Sequence, residues 1–272
     1  MKLTFLGTGS AFTVGDGNFQ SNMLLTSSNG RRLLLDCGSD IRFSLWEQGL
    51  KLSEMTDVYV SHLHADHIGG LEGLAFSTFF TPGLGRPRLF ISVSLVDDLW
   101  ARSLSGGLGS IEGHITSLDT YFDVQAIGRN GGFSWEGVYF QLVQTIHYMD
   151  GFNVVPSFGL MFQANQTRVF VTTDTQHAPN QIGRFYDMAD VIFQDCETSP
   201  FKSGVHAHYS ELRTLPAEVK AKMWLYHYQP GPRPDAVADG FRGFVEKGQE
   251  FHFPDIERRI TSPVRRGEAV RG

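Results

Sequence analysis

Four potential metal ligands fall within the six residues His62-Leu63-His64-Ala65-Asp66-His67, directly after the apolar run Val58-Tyr59-Val60-Ser61 and before Ile68-Gly69-Gly70-Leu71. Imidazole and carboxylate groups taken out of water need hydrogen bonds or a metal ion, so this cluster behind a buried strand demands a concave polar site. A strand end that turns into a helix can point all four side chains into one space.

The rest of the chain supplies the scaffold. Strand-like segments recur at Leu3–Leu6, Met23–Thr26, Arg32–Asp36, Val58–Ser61, Arg88–Ser92, Val138–Thr145, Gly159–Ala164, Arg168–Thr172, Val191–Asp195 and Met223–Tyr226. Most stop at Gly, Asn, Asp or Ser. Helical patterns fall between them at Asp40–Gln48, Gly69–Phe76, Ser94–Leu104, Asn180–Tyr186, Ser210–Leu215 and Pro234–Val245. Strands mixed with helices throughout predict an α/β architecture. The glycine-rich stretch Ser103–Gly113 reads as a mobile loop overhanging the site.

At 272 residues, 41% of them hydrophobic, the chain can bury a sizeable core, and one domain over residues 1–254 is expected. Residues 255–272 carry Arg258, Arg259, Arg265, Arg266 and Arg271 and read as a solvated basic tail. The formal net charge of −6 argues against a generally basic surface for long nucleic acids. Cys37 and Cys196 are too few for a disulfide framework and fit a reducing compartment. No stretch approaches the roughly 20 apolar residues needed to span a bilayer. The N-terminus reads as a first strand entering Gly7-Thr8-Gly9 rather than a signal peptide, so a cytoplasmic protein is expected.

The HxHxDH pattern with its following glycine pair resembles the metallo-β-lactamase superfamily. Phe5-Leu6-Gly7-Thr8-Gly9-Ser10-Ala11 is similar to that family's opening strand and turn, and Leu33-Leu34-Leu35-Asp36-Cys37-Gly38 to its "DCG" strand. Downstream, His147, Asp174 and His227 each follow a strand in the family's order. The resemblance implies an αββα sandwich, two mixed sheets face to face with helices outside. It also implies two divalent metal ions: His62, His64 and His147 on the first, Asp66, His67 and His227 on the second, and Asp174 bridging. Imidazole and carboxylate donors suit Zn²⁺, with Mn²⁺ or Fe²⁺ as alternatives. Paired cations lower the pKa of a water toward neutrality and neutralise charge developing on a phosphoryl or carbonyl oxygen. A hydrolase is expected, with Asp66 also orienting the nucleophile.

Gly7-Thr8-Gly9-Ser10-Ala11, Thr172-Thr173-Asp174-Thr175 and Ala189–Asp195 resemble the ribonuclease Z branch of phosphodiesterases, with Gln194-Asp195 where that branch has His-Glu. Gly204–Leu212 resembles its histidine motif, which implies that His206 protonates the leaving oxygen and Asp195 orients it. His208 is the alternative acid or a substrate contact. The long tRNA-clamping arm of bacterial ribonuclease Z has no room between Tyr148 and Thr173. A small phosphodiester is therefore the expected substrate: a cyclic nucleotide, as in armless relatives that remove nucleotide immune signals, or a short RNA 3′ end. Tyr148, Phe76, Phe79 and Phe80 are candidates to stack on a base. The branch further implies a homodimer. A tRNA-processing ribonuclease Z, a β-lactamase or lactonase, and an inactive metal-binding scaffold stay open on the residues alone.

Overall fold

The recurrent apolar segments assemble into two seven-stranded mixed sheets. The computed structural model describes residues 1–15 and 17–253. The boundary at 254 and the basic tail beyond it lie outside the described residues.

The first sheet contains β1 (Lys2–Phe5), β2 (Met23–Thr26), β3 (Arg32–Leu35), β4 (Asp57–Val60) and β5 (Arg88–Ser92). A small hairpin, β6 (Ser110–Ile111) and β7 (His114–Ile115), stands apart from it, and β8 (Asp123–Ile127) closes one edge. The second sheet contains β9 (Gly132–Trp135), β10 (Val138–Met149), β11 (Val154–Ala164), β12 (Thr167–Val171), β13 (Val191–Asp195), β14 (Met223–Tyr226) and β15 (Gly243–Phe244). Last in the chain, β16 (Glu250–His252) returns to pair antiparallel with β1. Strands β3, β4, β5 and β8 run parallel, as do β12, β13, β14 and β15.

Helices Ile41–Glu47, Leu71–Phe79 and Val93–Asp98 accompany the first sheet and Pro179–Met188 the second. The αββα sandwich expected from the sequence is the observed fold. Its central core interleaves aromatic rings from both sheets: Phe90, Phe133 and Phe140 stack in series at 4.2 and 5.1 Å, and Phe5 meets Phe193 at 5.1 Å. A second core, with Phe170, Ile182, Phe185 and Ile192, lies under Pro179–Met188. Strand β4 is buried along its whole length, which is why it reads as a continuous apolar run.

Two expectations are corrected. Pro234–Val245 is not a helix: it turns near Gly240, at φ +94°, and enters β15 through Gly243, at φ +133°. These are left-handed backbone values that break a helix. Ser103–Gly113 is not an irregular loop either. The helix Val93–Asp98 continues as a π-helical stretch, Leu99–Leu104, and the short helix Ser105–Leu108, anchored by buried Leu99, Leu104 and Leu108.

One buried charge holds the start of β4. Asp57 is fully enclosed, yet it accepts from Arg31, Arg88 and Trp135 Nε1. Burial raises the Asp57 pKa, but the hydrogen bonds from Arg88, Arg31 and Trp135 outweigh it and hold the carboxyl below its ordinary value. Asp57→Asn is expected to cost about 3 kcal/mol at pH 7 in urea unfolding, because it leaves two cations facing a neutral amide. With a depressed folded pKa, this stabilisation is full above the unfolded value near 3.9 and is lost as the pH falls through the folded one. The difference between wild type and variant should therefore shrink below about pH 4. A pH-independent difference would mean that packing, not charge, is lost.

Candidate active site

The parallel strands deliver polar side chains at their C-terminal ends, where open α/β sheets gather ligands. Asp36 follows β3, His62 to His67 follow β4, Asp174 follows β12, Asp195 ends β13 and His227 follows β14. His147 comes from β10, where the pairing with β11 slips between Ile146 and Tyr148, a bulge that re-aims the side chain. Three non-glycine residues at these ends adopt left-handed backbone: Asp36 at φ +63°, Thr173 at +53° and His227 at +65°. Such positions cost on the order of 1–3 kcal/mol each and collect where function over-determines the geometry. Gly38 and Gly70 permit the close approach beneath: a Cβ on Gly38 would sit 2.1 Å from the Asp66 carbonyl, and one on Gly70 2.5 Å from that of Gly38.

The donors sort into two groups that share Asp174: His62, His64, His147 and Asp174, and Asp66, His67, Asp174 and His227. In the first, His64 Nδ1 lies 3.2 Å from His62 Nε2 and 2.9 Å from His147 Nε2, and Asp174 Oδ2 lies 3.6 and 3.7 Å from those two Nε2 atoms. In the second, Asp66 Oδ2 lies 3.1 and 3.3 Å from the Nε2 atoms of His67 and His227, and Asp174 Oδ1 3.4 and 3.6 Å from the same atoms. Ligands held tetrahedrally at about 2.0–2.1 Å from Zn²⁺ are roughly 3.3–3.4 Å apart. Both groups have edges near this length. His67 Nε2 and Asp174 Oδ1 are buried without any hydrogen-bond partner among the described residues, as donors kept for a cation are. The donor set fits two divalent metal ions.

Outside the donors, a second layer fixes ring orientation. The Asp36 carboxylate accepts from Ser61 N–H at 2.8 Å, Ser61 Oγ–H at 2.7 Å and His67 Nδ1–H at 2.7 Å. His62 Nδ1 lies 3.0 Å from Ser61 Oγ, and His147 Nδ1–H donates to the Val205 carbonyl at 3.1 Å. Each such bond sets the tautomer that leaves Nε2 turned inward. Burial pushes the His62 pKa far down, that of His64 down, and that of His147 down to about 4, so these rings are neutral, the form in which an imidazole can coordinate a cation. Burial acts the same way on His67 and His227, but it is outweighed by Asp66, Asp174 and Asp36 at His67 and by Asp174, Asp195 and Asp66 at His227, and both are raised. The second group is thus a charge-paired cluster of two imidazoles and two carboxylates, whose imidazole protons a divalent cation would displace on binding.

Beside this cluster, His206 Nδ1–H donates to Asp195 Oδ2 at 2.8 Å, and the same oxygen accepts from Thr175 N–H at 2.9 Å. The other Asp195 oxygen lies 3.2 Å from His227 Nδ1. Asp195, His206 and His227 also meet Asp174 as a third group of possible donors. With His227 and Asp174 already shared by the second group and Asp195 hydrogen-bonded to His206, its geometry suits a proton-handling pair better than a third ion. Gln194 points away, accepting from Tyr186 and donating to the Asp195 carbonyl.

His208 caps the helix Tyr209–Leu212, its Nδ1 accepting from Ser210 N–H and its Nε2 lying 2.9 Å from the Ser199 carbonyl. With both nitrogens engaged, it stands apart from the donor groups. Tyr148 lies parallel to His64, 5.6 Å away, and lines the adjoining cavity. Of the other stacking candidates, Phe76, Phe79 and Phe80 pack with one another, and Phe76 and Phe79 with Tyr121, and none of the three lines that cavity. Sequence reading did not assign Asp36 its role, although an acid ending a buried strand is a visible signal. It also missed Glu197, whose buried carboxylate gathers Ser199, Ser203 N–H and Ser203 Oγ and so shapes the loop carrying Val205 and His206.

A family model described as Anti-Pycsar protein Apyc1 matches residues 1–251. The chain belongs to this family. Among Apyc1 relatives, that of Paenibacillus harenae is 35% identical over 230 residues, 84% of this chain and 90% of its own. The Apyc1 of Bacillus phage vB_BveM-Goe7 is 33% identical over 261 residues, 92% of this chain and 97% of its own. Among solved structures, the metallo-β-lactamase fold protein YhfI from Bacillus subtilis superimposes with a TM-score of 0.70 at 19% identity, covering 92% of this chain and 98% of that one. The Apyc1-family chain therefore has the metallo-β-lactamase fold.

Proposed function

We propose that this protein is a binuclear metal-dependent phosphodiesterase that hydrolyses a cyclic nucleotide to its open monophosphate. One observation carries the reading: a seven-residue donor cluster sharing Asp174 stands next to a carboxylate-held imidazole, His206. Membership of the Apyc1 family and the resemblance to armless nucleotide-degrading enzymes support the substrate class. So does the chain between His147 and Asp174. There β10 turns at Asp150–Asn153 into β11, and β11 passes through a short turn into β12, so no RNA-clamping arm intervenes.

Water, giving up one proton to solvent, attacks phosphorus, the P–O bond to the ring alkoxide breaks, that alkoxide takes a proton from His206, and the histidine regains its proton from solvent. When bound, the two cations supply activation of water and neutralisation of charge on the phosphoryl oxygens. Asp195 keeps the His206 proton on Nδ1, so that Nε2 carries the transferable one, and Asp66 orients the nucleophile. Zn²⁺ is the proposed metal, since three imidazoles and a carboxylate on one ion form a donor set it favours. The homodimer rests on the resemblance to ribonuclease Z. A nucleotide substrate places the work in the cytoplasm, and no helix among the described residues is long and apolar enough to cross a membrane.

Protein loaded with Zn²⁺ or Mn²⁺ is expected to open members of a cyclic-nucleotide panel, and to lose this on chelation and in His64→Ala. Cleavage of a trailer-bearing precursor tRNA, run in parallel, with every cyclic nucleotide intact would replace the proposal with a ribonuclease Z that holds RNA another way.

A further inference from the structure

Between β13 and the helix Tyr209–Leu212 the chain loops out and returns to itself. Glu197 N–H donates to the Ala207 carbonyl and Tyr209 N–H to the Glu197 carbonyl, both at 2.9 Å, which closes a neck around residues 198–206. Loops of this kind are ordinarily mobile, yet this one carries Val205 and His206, and a proton donor must stay within roughly 2.6–3.2 Å of the atom it serves. The buried Glu197 side chain braces it from inside. Oε2 accepts from Ser203 N–H at 2.9 Å and Ser203 Oγ–H at 3.1 Å, and Oε1 accepts from Ser199 Oγ–H at 2.8 Å. The same Ser203 hydroxyl accepts from Val205 N–H at 3.1 Å. The Val205 carbonyl in turn accepts from His147 Nδ1–H, and the next residue is His206, whose Nδ1–H goes to Asp195. A chain of hydrogen bonds thus runs from one buried carboxylate through Ser203 to a peptide that touches a donor of the first group and precedes the acid. Among the described residues Glu197 forms no ion pair, so its bonds to the loop are what compensate its burial.

We infer that Glu197 is a positioning residue: through Ser203 it sets the Val205 peptide, and so fixes together the place of the His206 proton donor and the orientation of the His147 ring. The inference rests on the reading given under Proposed function for what His206 does to a substrate. Three variants separate it from a plain packing role. Glu197→Ala removes every side-chain bond to the loop. Ser203→Ala, at an exposed position, removes only the relay through Oγ and keeps the bond from Ser203 N–H. Glu197→Gln is the conservative control. Its oxygen can still accept from Ser203, and its N–H can donate to Ser199 Oγ, whose own proton then goes to the neighbouring Phe201 carbonyl.

The test is kcat and KM of the metal-loaded proteins for whichever of cyclic AMP, GMP, CMP and UMP the wild type turns over fastest, beside bis(4-nitrophenyl) phosphate, whose 4-nitrophenolate leaves without a proton. A misplacement of about 1 Å costs a catalytic group on the order of 10²-fold. With the cyclic nucleotide, kcat is expected to fall by about that factor in Glu197→Ala, roughly tenfold in Ser203→Ala and less than about threefold in Glu197→Gln, with KM little changed and the aryl ester affected far less. Zn²⁺ affinity, read by competition with a chromogenic chelator, should weaken by up to about tenfold in the two alanine variants, less than when a direct outer partner is lost. Backbone amide hydrogen exchange at residues 203–206 should quicken in the same two. Equal losses on both substrates, an unaltered kcat in Ser203→Ala, or a Glu197→Gln as impaired as Glu197→Ala would overturn the inference while leaving the phosphodiesterase standing. Should Glu197→Ala fail to fold, Ser203→Ala decides alone. A wild type that hydrolyses bis(4-nitrophenyl) phosphate but no cyclic nucleotide would instead remove the functional reading. Chelator competition and amide exchange then decide the hydrogen-bond chain by themselves: weaker Zn²⁺ binding with faster exchange in Ser203→Ala upholds it, and unchanged values end it.

Discussion

Asp174→Ala is expected to lose both metal ions and to lower turnover by about four orders of magnitude or more, since side chains alone do not replace the activation of water that bound cations provide. The expectation follows from geometry. Asp174 places Oδ2 against His62 and His147 and Oδ1 against His67 and His227, so one carboxylate completes both donor groups. Removing any other donor subtracts from one group only. Asp36→Asn gives the graded comparison, because it touches no metal position and acts through His67 and Ser61. Loss of such an outer partner weakens metal affinity by about 10–100-fold. Metal analysis of the two variants beside wild type, with circular dichroism to confirm folding, checks both. Two equivalents of tightly held metal in Asp174→Ala would show that the shared carboxylate is not the bridge.

The site was more legible than the scaffold edges, for a physical reason. Donors of the cluster follow apolar runs that must be buried, so the abrupt change from Val58–Ser61 to His62, or from Trp224–Tyr226 to His227, survives in the sequence. Edge strands carry no such contrast. In β8, Val124, Gln125 and Ala126 stay partly or fully exposed, so Asp123–Ile127 has no pattern separating it from loop. At Pro234–Val245 the buried apolar residues Ala236, Phe241 and Val245 are five and four positions apart, which do not share one helical face, and they are buried from a turn and a short strand. Ser103–Gly113 misleads in the opposite sense: glycines suggested a loop, while Leu104 and Leu108, one helical turn apart, pin it to the core. The role of Asp36 depends on three hydrogen bonds made to residues 25 and 31 positions away, and linear spacing does not encode such pairings. The cavity beside His62 and His64 is likewise a product of distant walls meeting, the residues after β5 and the β10–β11 hairpin.

His206→Ala is expected to lower kcat for cyclic nucleotides by about 10²–10⁴-fold, the range for loss of a positioned general acid, with metal content retained. The leaving group decides whether proton donation is what was lost. A ribose alkoxide is strongly basic and needs a proton as the P–O bond breaks. A 4-nitrophenolate does not, so hydrolysis of bis(4-nitrophenyl) phosphate should fall far less. The protonated form of His206 is the one required. Burial lowers its pKa, but the charge and hydrogen bond of Asp195 outweigh that and hold it above the ordinary histidine value. Activity toward cyclic nucleotides should thus persist through neutral pH and fall as the pH rises through that raised value. Asp195→Asn removes the charge while keeping an oxygen for Nδ1–H, so the same fall should begin at lower pH. Equal losses on both kinds of substrate in His206→Ala would assign the histidine to structure or binding. An alkaline limb unmoved in Asp195→Asn would assign the proton to another group.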